Sequence, residues 1–162
     1  MDAETKPVRR RAAAPAPVDA VDRKLLGLLA EDATRSYAEL GLLLNLSPPA
    51  VHERAKRLRR DGVIRATVAA LDGPAIGRAL TAFVHVDTTG WGKSGAMLAL
   101  RDLPAVEEMH SVAGDACMIL KVRVPDTRAL EDLLAQVYAV PGVKGTRSYI
   151  ALNTYLERGP RP

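Results

Sequence analysis

Ser47-Pro-Pro-Ala-Val-His-Glu-Arg-Ala-Lys-Arg-Leu-Arg-Arg-Asp-Gly62 is the stretch on which the fold of this chain turns. Ser47 is suited to cap the first N–H groups of a helix, Pro48 to occupy its first position, where a missing donor costs nothing, and Gly62 to end it. At about 100° per residue, Val51, Ala55 and Leu58 fall on one stripe, while Pro49, His52, Glu53, Lys56, Arg57 and Arg60 spread over the rest. One face is built to dock and the other to meet a partner. From Glu53 to Arg65 six Lys or Arg stand against only Glu53 and Asp61. A charge run by itself usually marks a solvated face. A one-sided excess on a helix with defined ends points instead to a polyanion.

Upstream, Asp22 to Ala30 carries Leu25, Leu26, Leu28 and Leu29 at helical spacing, and Ser36-Tyr-Ala-Glu39 is a capping box opening a helix over 37–44. Only Leu44-Asn-Leu-Ser47 separates that helix from the basic one, and Asn45 tolerates the left-handed conformation a tight turn needs. Three helices with this connection predict a helix-turn-helix over residues 19–65, its third helix entering the major groove of double-stranded DNA. The expected DNA-contacting residues are Ser47, Pro49, His52, Glu53, Lys56, Arg57 and Arg60, with Arg35 and Ser36 offering a guanidinium and N–H groups to a phosphate. For His52 the plain alternative is an exposed helix residue, and for Arg35 and Ser36 an ordinary cap. Arg54 flanks the docking stripe and is placed to brace the helix.

The charge map divides the chain. Basic residues outnumber acidic by four to two over residues 1–18 and nine to seven over 19–65, and balance at ten each beyond, so the net charge of +4 lies wholly in front. Such asymmetry assigns the polyanion to the first half and a different task to the second. Residues 1–18, rich in Ala, Pro and Arg, read as a disordered basic arm. No signal-peptide core and no run of 18 apolar residues is present, and Cys117 is the single cysteine, so a cytoplasmic, nucleoid-associated protein away from membranes is expected.

Beyond Gly62, Val63 to Leu71 is β-branched enough to predict an extended strand, and Asp72-Gly-Pro breaks it, giving a hinge and linker over 66–78. Residues 79–162 then alternate: strand 81–87, helix 93–103, strand 106–112, strand 117–124, helix 126–138 and strand 143–156. Ala113-Gly-Asp-Ala marks a hairpin between the central strands, while Asp126 and Pro141-Gly142 bracket the second helix. This βαββαβ order is that of a ferredoxin-like sandwich, so the fold class is α+β with an N-terminal helix-turn-helix. Two helices cover one sheet face, yet Phe83, Val84, Val86, Met118, Ile119, Leu120, Val122, Ile150 and Leu152 supply apolar side chains to both. The uncovered face predicts a homodimer, which would present two reading helices to a two-fold site.

Taken together, the halves resemble the Lrp/AsnC family of leucine- and asparagine-responsive regulators. The resemblance covers residues 18–156 and rests on the order and spacing of Val18-Asp-Ala-Val-Asp-Arg-Lys-Leu-Leu26, Asp32-Ala-Thr-Arg-Ser36, Ala38-Glu-Leu40, Leu46-Ser-Pro48, Val51 to Leu58, Asp61-Gly-Val-Ile64, Leu103 to Glu107, Gly114-Asp115, Pro141-Gly-Val143 and Leu152. It implies a β hinge and a C-terminal effector-sensing (RAM-type) domain, with dimers assembling to tetramers or octamers that wrap or bend DNA. It also implies an effector, usually an amino acid, bound between C-terminal domains near the loop joining the central strands, here Ser111-Val-Ala-Gly-Asp-Ala-Cys117. The resemblance thus nominates Ser111, Val112, Gly114, Asp115 and Cys117, and more weakly Thr146 and Ser148, as effector contacts. Family members commonly carry Gly-x-x-Asp where this chain has Gly114-Asp-Ala-Cys117. A carboxylate against an ammonium gives a charge-assisted bond of roughly 1.5–3 kcal/mol that a neutral thiol does not replace. Either Asp115 compensates, the ligand differs or the site is silent. The plain readings are a small buried side chain for Cys117 and a tight turn for Gly114 and Asp115.

His85 and His110 lack further ligands at metal spacing, so no metal and no cofactor are expected. Proteins like this family in fold include sirohaem decarboxylase subunits, but no phosphate loop or nucleophile–base pairing marks an enzyme here, and no catalytic residue is assigned. The nearer rival to an effector-modulated, sequence-specific regulator is an architectural nucleoid protein that ignores small molecules.

Overall fold

The computed structural model describes residues 17–89 and 95–162; residues 1–16 of the arm expected over 1–18, and the expected helix start at Lys93 and Ser94, lie outside them. The chain divides into two compact units, one holding residues up to Ala69 together with Arg158–Pro162, the other Ala70–Glu157. The divide falls inside the expected linker, whose later residues and the sheet share a unit.

The first unit is built from α1 (Ala20–Glu31), α2 (Tyr37–Leu44) and α3 (Pro48–Arg60). Helix α1 begins two residues earlier than its leucine pattern suggests, because Asp19 caps it reciprocally with Asp22: each carboxylate accepts the other's N–H, at 2.7 and 3.1 Å. Ser36 and Glu39 form the expected capping box of α2. At its far end Asn45 takes the left-handed conformation (φ 53°, ψ 46°), and the Leu46 N–H donates to the Gly41 carbonyl at 2.9 Å. Helix α3 differs from expectation at its start, where the Ser47 side chain makes no cap bond. Prolines at its first two positions leave few N–H donors there for a hydroxyl to satisfy. At its end Gly62 has φ 75°, its N–H donating to Arg59 O at 3.1 Å and the Val63 N–H to Leu58 O at 2.9 Å. This is a Schellman stop, which turns Val63 and Ile64 back onto the core of Leu25, Leu40, Val51, Ala55 and Leu58. Gly62→Ala should therefore cost about 1 kcal/mol in urea unfolding, since alanine at positive φ is strained.

The strand expected over Val63 to Leu71 does not form: residues 65–71 pair with no strand among the described residues and are exposed throughout. A strand needs a ladder partner to satisfy its N–H and C=O groups, and Val63 and Ile64, which gave the stretch much of its β character, are spent on the helical core.

The second unit is a four-stranded antiparallel sheet of β1 (Leu80–Thr88), β2 (Val106–Ser111), β3 (Met118–Val124) and β4 (Val143–Ile150), in the order β2-β3-β1-β4. The first crossover is shorter than expected: α4 spans Gly95–Leu98 and passes into a 3₁₀ turn over Ala99–Asp102. Helix α5 (Thr127–Tyr138) is capped by Asp126, whose side chain accepts the Ala129 N–H at 2.9 Å. Together these helices and the strand face bearing Ala82, Val84, Val86, Met118, Leu120 and Val122 enclose the core. The last strand stops at Ile150 rather than Leu156. Ala151 N–H still reaches Thr81 O, but the following chain leaves the ladder and clips Glu157 onto Lys121 and Arg123.

Candidate functional site

The two candidate sites lie in separate units. On α3 the stripe Val51, Ala55 and Leu58 is buried against α1 and α2, as its spacing requires. The opposite surface carries His52, half exposed, with its ring 5.3 Å from that of Tyr37 and its Nδ1 3.5 Å from Glu53. Arg60 is largely exposed beside Asp61, and Arg59 donates to Tyr37 Oη at 3.3 Å. Pro49, Glu53 and Lys56 are solvent-facing or nearly so. These side chains form the outward surface of a helix presented by a rigid turn, which is the arrangement that fits a major groove.

Three basic residues are placed differently. Arg57 was expected on the reading surface, yet its Nη2 lies 2.5 Å from Asp22 Oδ2, and Asp22 is completely buried. Arg54 bonds both Asp22 (2.9 Å) and Asp19 (2.6 Å), which makes it the brace its position suggested. Arg35 sits 3.6 Å from Glu31 and 3.9 Å from Asp32. Ser36 already spends its N–H and hydroxyl on Glu39, so a phosphate there would meet an occupied cap. The Asp19–Asp22–Arg54–Arg57 cluster was not legible in advance, although its signal, two aspartates three apart before a leucine stripe, stood in the sequence.

Burial pushes the Asp22 carboxyl up, but the Arg57 guanidinium, the Asp19 N–H and Arg54 outweigh it and hold the group below its ordinary value. The Asp22 N–H and Arg54 hold Asp19 low, and the Ser36 hydroxyl and N–H do the same for Glu39. A carboxyl depressed on folding stabilises fully above its unfolded value, about 4, and loses that contribution as pH falls through the folded one. Circular dichroism melts should therefore show the protein losing stability steeply below about pH 4 and little change between pH 6 and 8.

In the second unit the loop 112–117 closes β2 onto β3. Asp115 is exposed, and its carboxylate lies 3.1 Å from Arg147 Nη1 on β4, whose Nη2 is also 3.8 Å from Asp87. Arg147 sits opposite His85 on the sheet face away from the helices. It is a candidate that sequence reasoning passed over. Thr146 and Ser148, which it favoured, lie opposite Val86 and Val84 on the helix-covered face, and the Thr146 N–H donates to Tyr138 Oη at 3.1 Å. The structure does not bring those two to the loop on Asp115's side. Ser111 ends β2, opposite Met118, while the Val112 N–H donates to the Cys117 carbonyl at 3.2 Å. Gly114 has open space around it. Cys117 is half buried rather than buried, and the Thr88 hydroxyl and amide bond its sulphur and hold the thiol below its ordinary value.

Among the described residues no three His, Cys, Asp or Glu are grouped to hold a metal, and no helix is long and apolar enough to cross a membrane.

Comparison with known proteins agrees with both units. Residues 18–59 match the AsnC-type helix-turn-helix domain and residues 81–161 the Lrp/AsnC ligand binding domain. The chain is 37% identical to the HTH-type transcriptional regulator LrpA of Mycobacterium tuberculosis, over 85% of this chain and 92% of that one. It is 34% identical to the leucine-responsive regulatory protein of Escherichia coli, over 83% and 85%. Among solved structures, a feast or famine regulatory protein from M. tuberculosis complexed with L-methionine superposes with a TM-score of 0.83 at 36% identity, covering 90% of this chain and all of that one. With a helix-turn-helix in front, a ferredoxin-like sandwich behind and relatives of nearly full length, the chain belongs to the Lrp/AsnC family of transcriptional regulators.

Proposed function

We propose that this regulator works as a homodimer, or a higher assembly of dimers, that reads a two-fold DNA site through α3 and changes its binding when a free amino acid docks at the Asp115 end of the sheet. The observation that carries the effector reading is the Asp115–Arg147 pair, 3.1 Å apart and solvent-accessible. A zwitterion carries one charge of each sign, so a carboxylate and a guanidinium side by side can receive its ammonium and its carboxylate together. Asp115 then supplies the acid that Cys117 does not. The M. tuberculosis relative bound to L-methionine supports an amino acid as the class of ligand. The remaining contacts would come from Ser111, Val112, Gly114 and Cys117 of the same loop.

On the DNA side, His52, Glu53, Lys56 and Arg60 are the proposed contacts, with Ser47 and Pro49 near the helix start. Arg60→Gln should lower the salt dependence of DNA binding by about 0.9 in log Kd per log unit of salt, the signature of one lost phosphate contact. The regulator would act on cytoplasmic DNA, by binding rather than by chemistry.

Thermal shifts against the twenty amino acids at millimolar concentration test the effector reading, because a ligand binding only the folded protein stabilises it by RT ln(1 + [L]/Kd). A selective shift lost in Asp115→Ala is expected. No shift with any amino acid would overturn it and favour the architectural role, which footprints uniform over unrelated DNA would establish.

A further inference from the structure

The buried carboxylate of Asp22 does more than the start of a helix requires. A cap at Asp19 needs only the two reciprocal bonds with its own helix, yet Asp22 also accepts Arg54 Nη1 at 2.9 Å and Arg57 Nη2 at 2.5 Å from α3. Asp19 adds a further bond to Arg54 at 2.6 Å. Two guanidiniums of the most basic helix are thus drawn toward the start of α1, each with about a third of its side chain still exposed. They border a depression of about 540 Å³ whose other walls are Asp19, Glu53, Lys56 and Arg60.

Lys56 and Arg57 each lie about one turn before Arg60, at i,i+4 and i,i+3, so without Asp22 all three would border one cationic patch. Such a patch binds any phosphate backbone, and each cation so used adds affinity that carries no sequence information. With Asp22 in place, two positive charges are matched by Asp22 and Asp19. The surplus on the outer surface then falls to Lys56, which has no partner among the described residues, to Arg59, which leans on Tyr37, and to Arg60, which is 73% exposed with the neighbouring Asp61 3.1 Å away.

Resting on the DNA-binding function of this unit, we propose that Asp22 is a positioning residue for DNA specificity: it withholds Arg54 and Arg57 from the phosphate backbone and so limits binding to unrelated sequence. The pair fixes α3 against α1 and lowers the number of cations available to any duplex. Specificity here would be set partly by suppressing the wrong complex rather than only by improving the right one.

The test compares full-length wild type, Asp22→Asn and Arg57→Gln binding a fluorescent duplex of random sequence, by anisotropy from 50 to 300 mM KCl. Asp22→Asn keeps the shape and one acceptor oxygen while removing the charge and turning the other acceptor into a donor. Its slope of log Kd against log salt should steepen by one to two units, at about 0.9 for each further phosphate neutralised, with affinity at the lowest salt rising about tenfold. Arg57→Gln should leave the slope of the wild type unchanged, because its charge is already spent. A role confined to holding the helices together would weaken binding without steepening the slope. An unchanged slope in folded Asp22→Asn overturns the proposal, as does a slope about 0.9 shallower in Arg57→Gln. Should Asp22→Asn fail to fold by circular dichroism, the Arg57→Gln slope decides alone. A wild type that binds no duplex at all would fail the DNA-binding reading itself, a result separable from these.

Discussion

Gly41→Val is expected to destabilise the helical unit by about 2–4 kcal/mol and to abolish DNA binding at 37 °C. Gly41 is buried in α2 where that helix meets its turn, and a Cβ there would stand 2.6 Å from the Leu46 carbonyl oxygen and 3.6 Å from the Pro48 nitrogen. The carbonyl oxygen at 2.6 Å is the obstacle and belongs to the backbone, so no side chain can swing aside. Overpacking of this kind costs typically about 1–3 kcal/mol. Opening the turn would also strain the 2.9 Å bond from the Leu46 N–H to the Gly41 carbonyl, and an unsatisfied buried pair costs about 1–3 kcal/mol more. The better helix propensity of valine returns only a few tenths. Because this turn sets the angle between α2 and α3, the damage reaches the reading surface directly. Urea unfolding followed at 222 nm and anisotropy with an operator duplex check it, and a variant as stable as wild type would show that the turn has room for a side chain.

The second large effect concerns the uncovered sheet face, on the reading that two copies pair there. Phe83 and Tyr149 face each other across β1 and β4, are 41% and 54% exposed, and stand beside His85, whose ring lies 4.9 Å from that of Tyr149. The His85 Nδ1 is buried without a hydrogen-bond partner, and the half-exposed Arg147 stands opposite it on β4. The flank of the face is charged, with Lys121 and Arg123 bonded to Glu107 and Glu157. Substituting Phe83→Asp and Tyr149→Asp together removes two aromatic side chains, each worth roughly 1.5–3 kcal/mol when buried. A two-fold interface repeats every loss. Sedimentation equilibrium should therefore find the dimer Kd raised at least about a thousandfold, since each 1.4 kcal/mol is tenfold. Neither side chain belongs to the core beneath the helices, so the monomer should stay folded. An unchanged dimer would show that the copies pair elsewhere.

What could be read from the sequence was local. The capping box at Ser36 and Glu39, the left-handed Asn45 and the stop at Gly62 each follow from the preferences of one or two residues, and all three stand in the structure. The order βαββαβ was legible because apolar periods alternate cleanly. The errors fell where a segment's state depends on something distant. Val63 to Leu71 has strand composition, but composition supplies no ladder partner. The last strand was read through to Leu156 from apolar content, whereas Glu157 finds its partners on β3, far away in sequence. Arg57 counted as a free cation because its counter-charge, Asp22, lies on another helix. Asp115 was named from its loop alone, while Arg147, the residue that gives it a chemical role, needed the sheet register to be found.

A ribosome releases this molecule in an order that its strand arrangement makes consequential. Helices α1, α2 and α3 close over short turns, and their core residues have all emerged by Leu58. Strand β1 comes soon afterwards but lies between β3 and β4, so it waits for partners made much later, one of them the final strand of the sheet. Non-local pairing of this kind is slow, and domains tend to fold as units in the order of synthesis. The nascent chain therefore carries a packed helical core while the sheet face on which a second copy would pair does not yet exist. If two copies pair through this face, pairing would have to wait for the finished sheet.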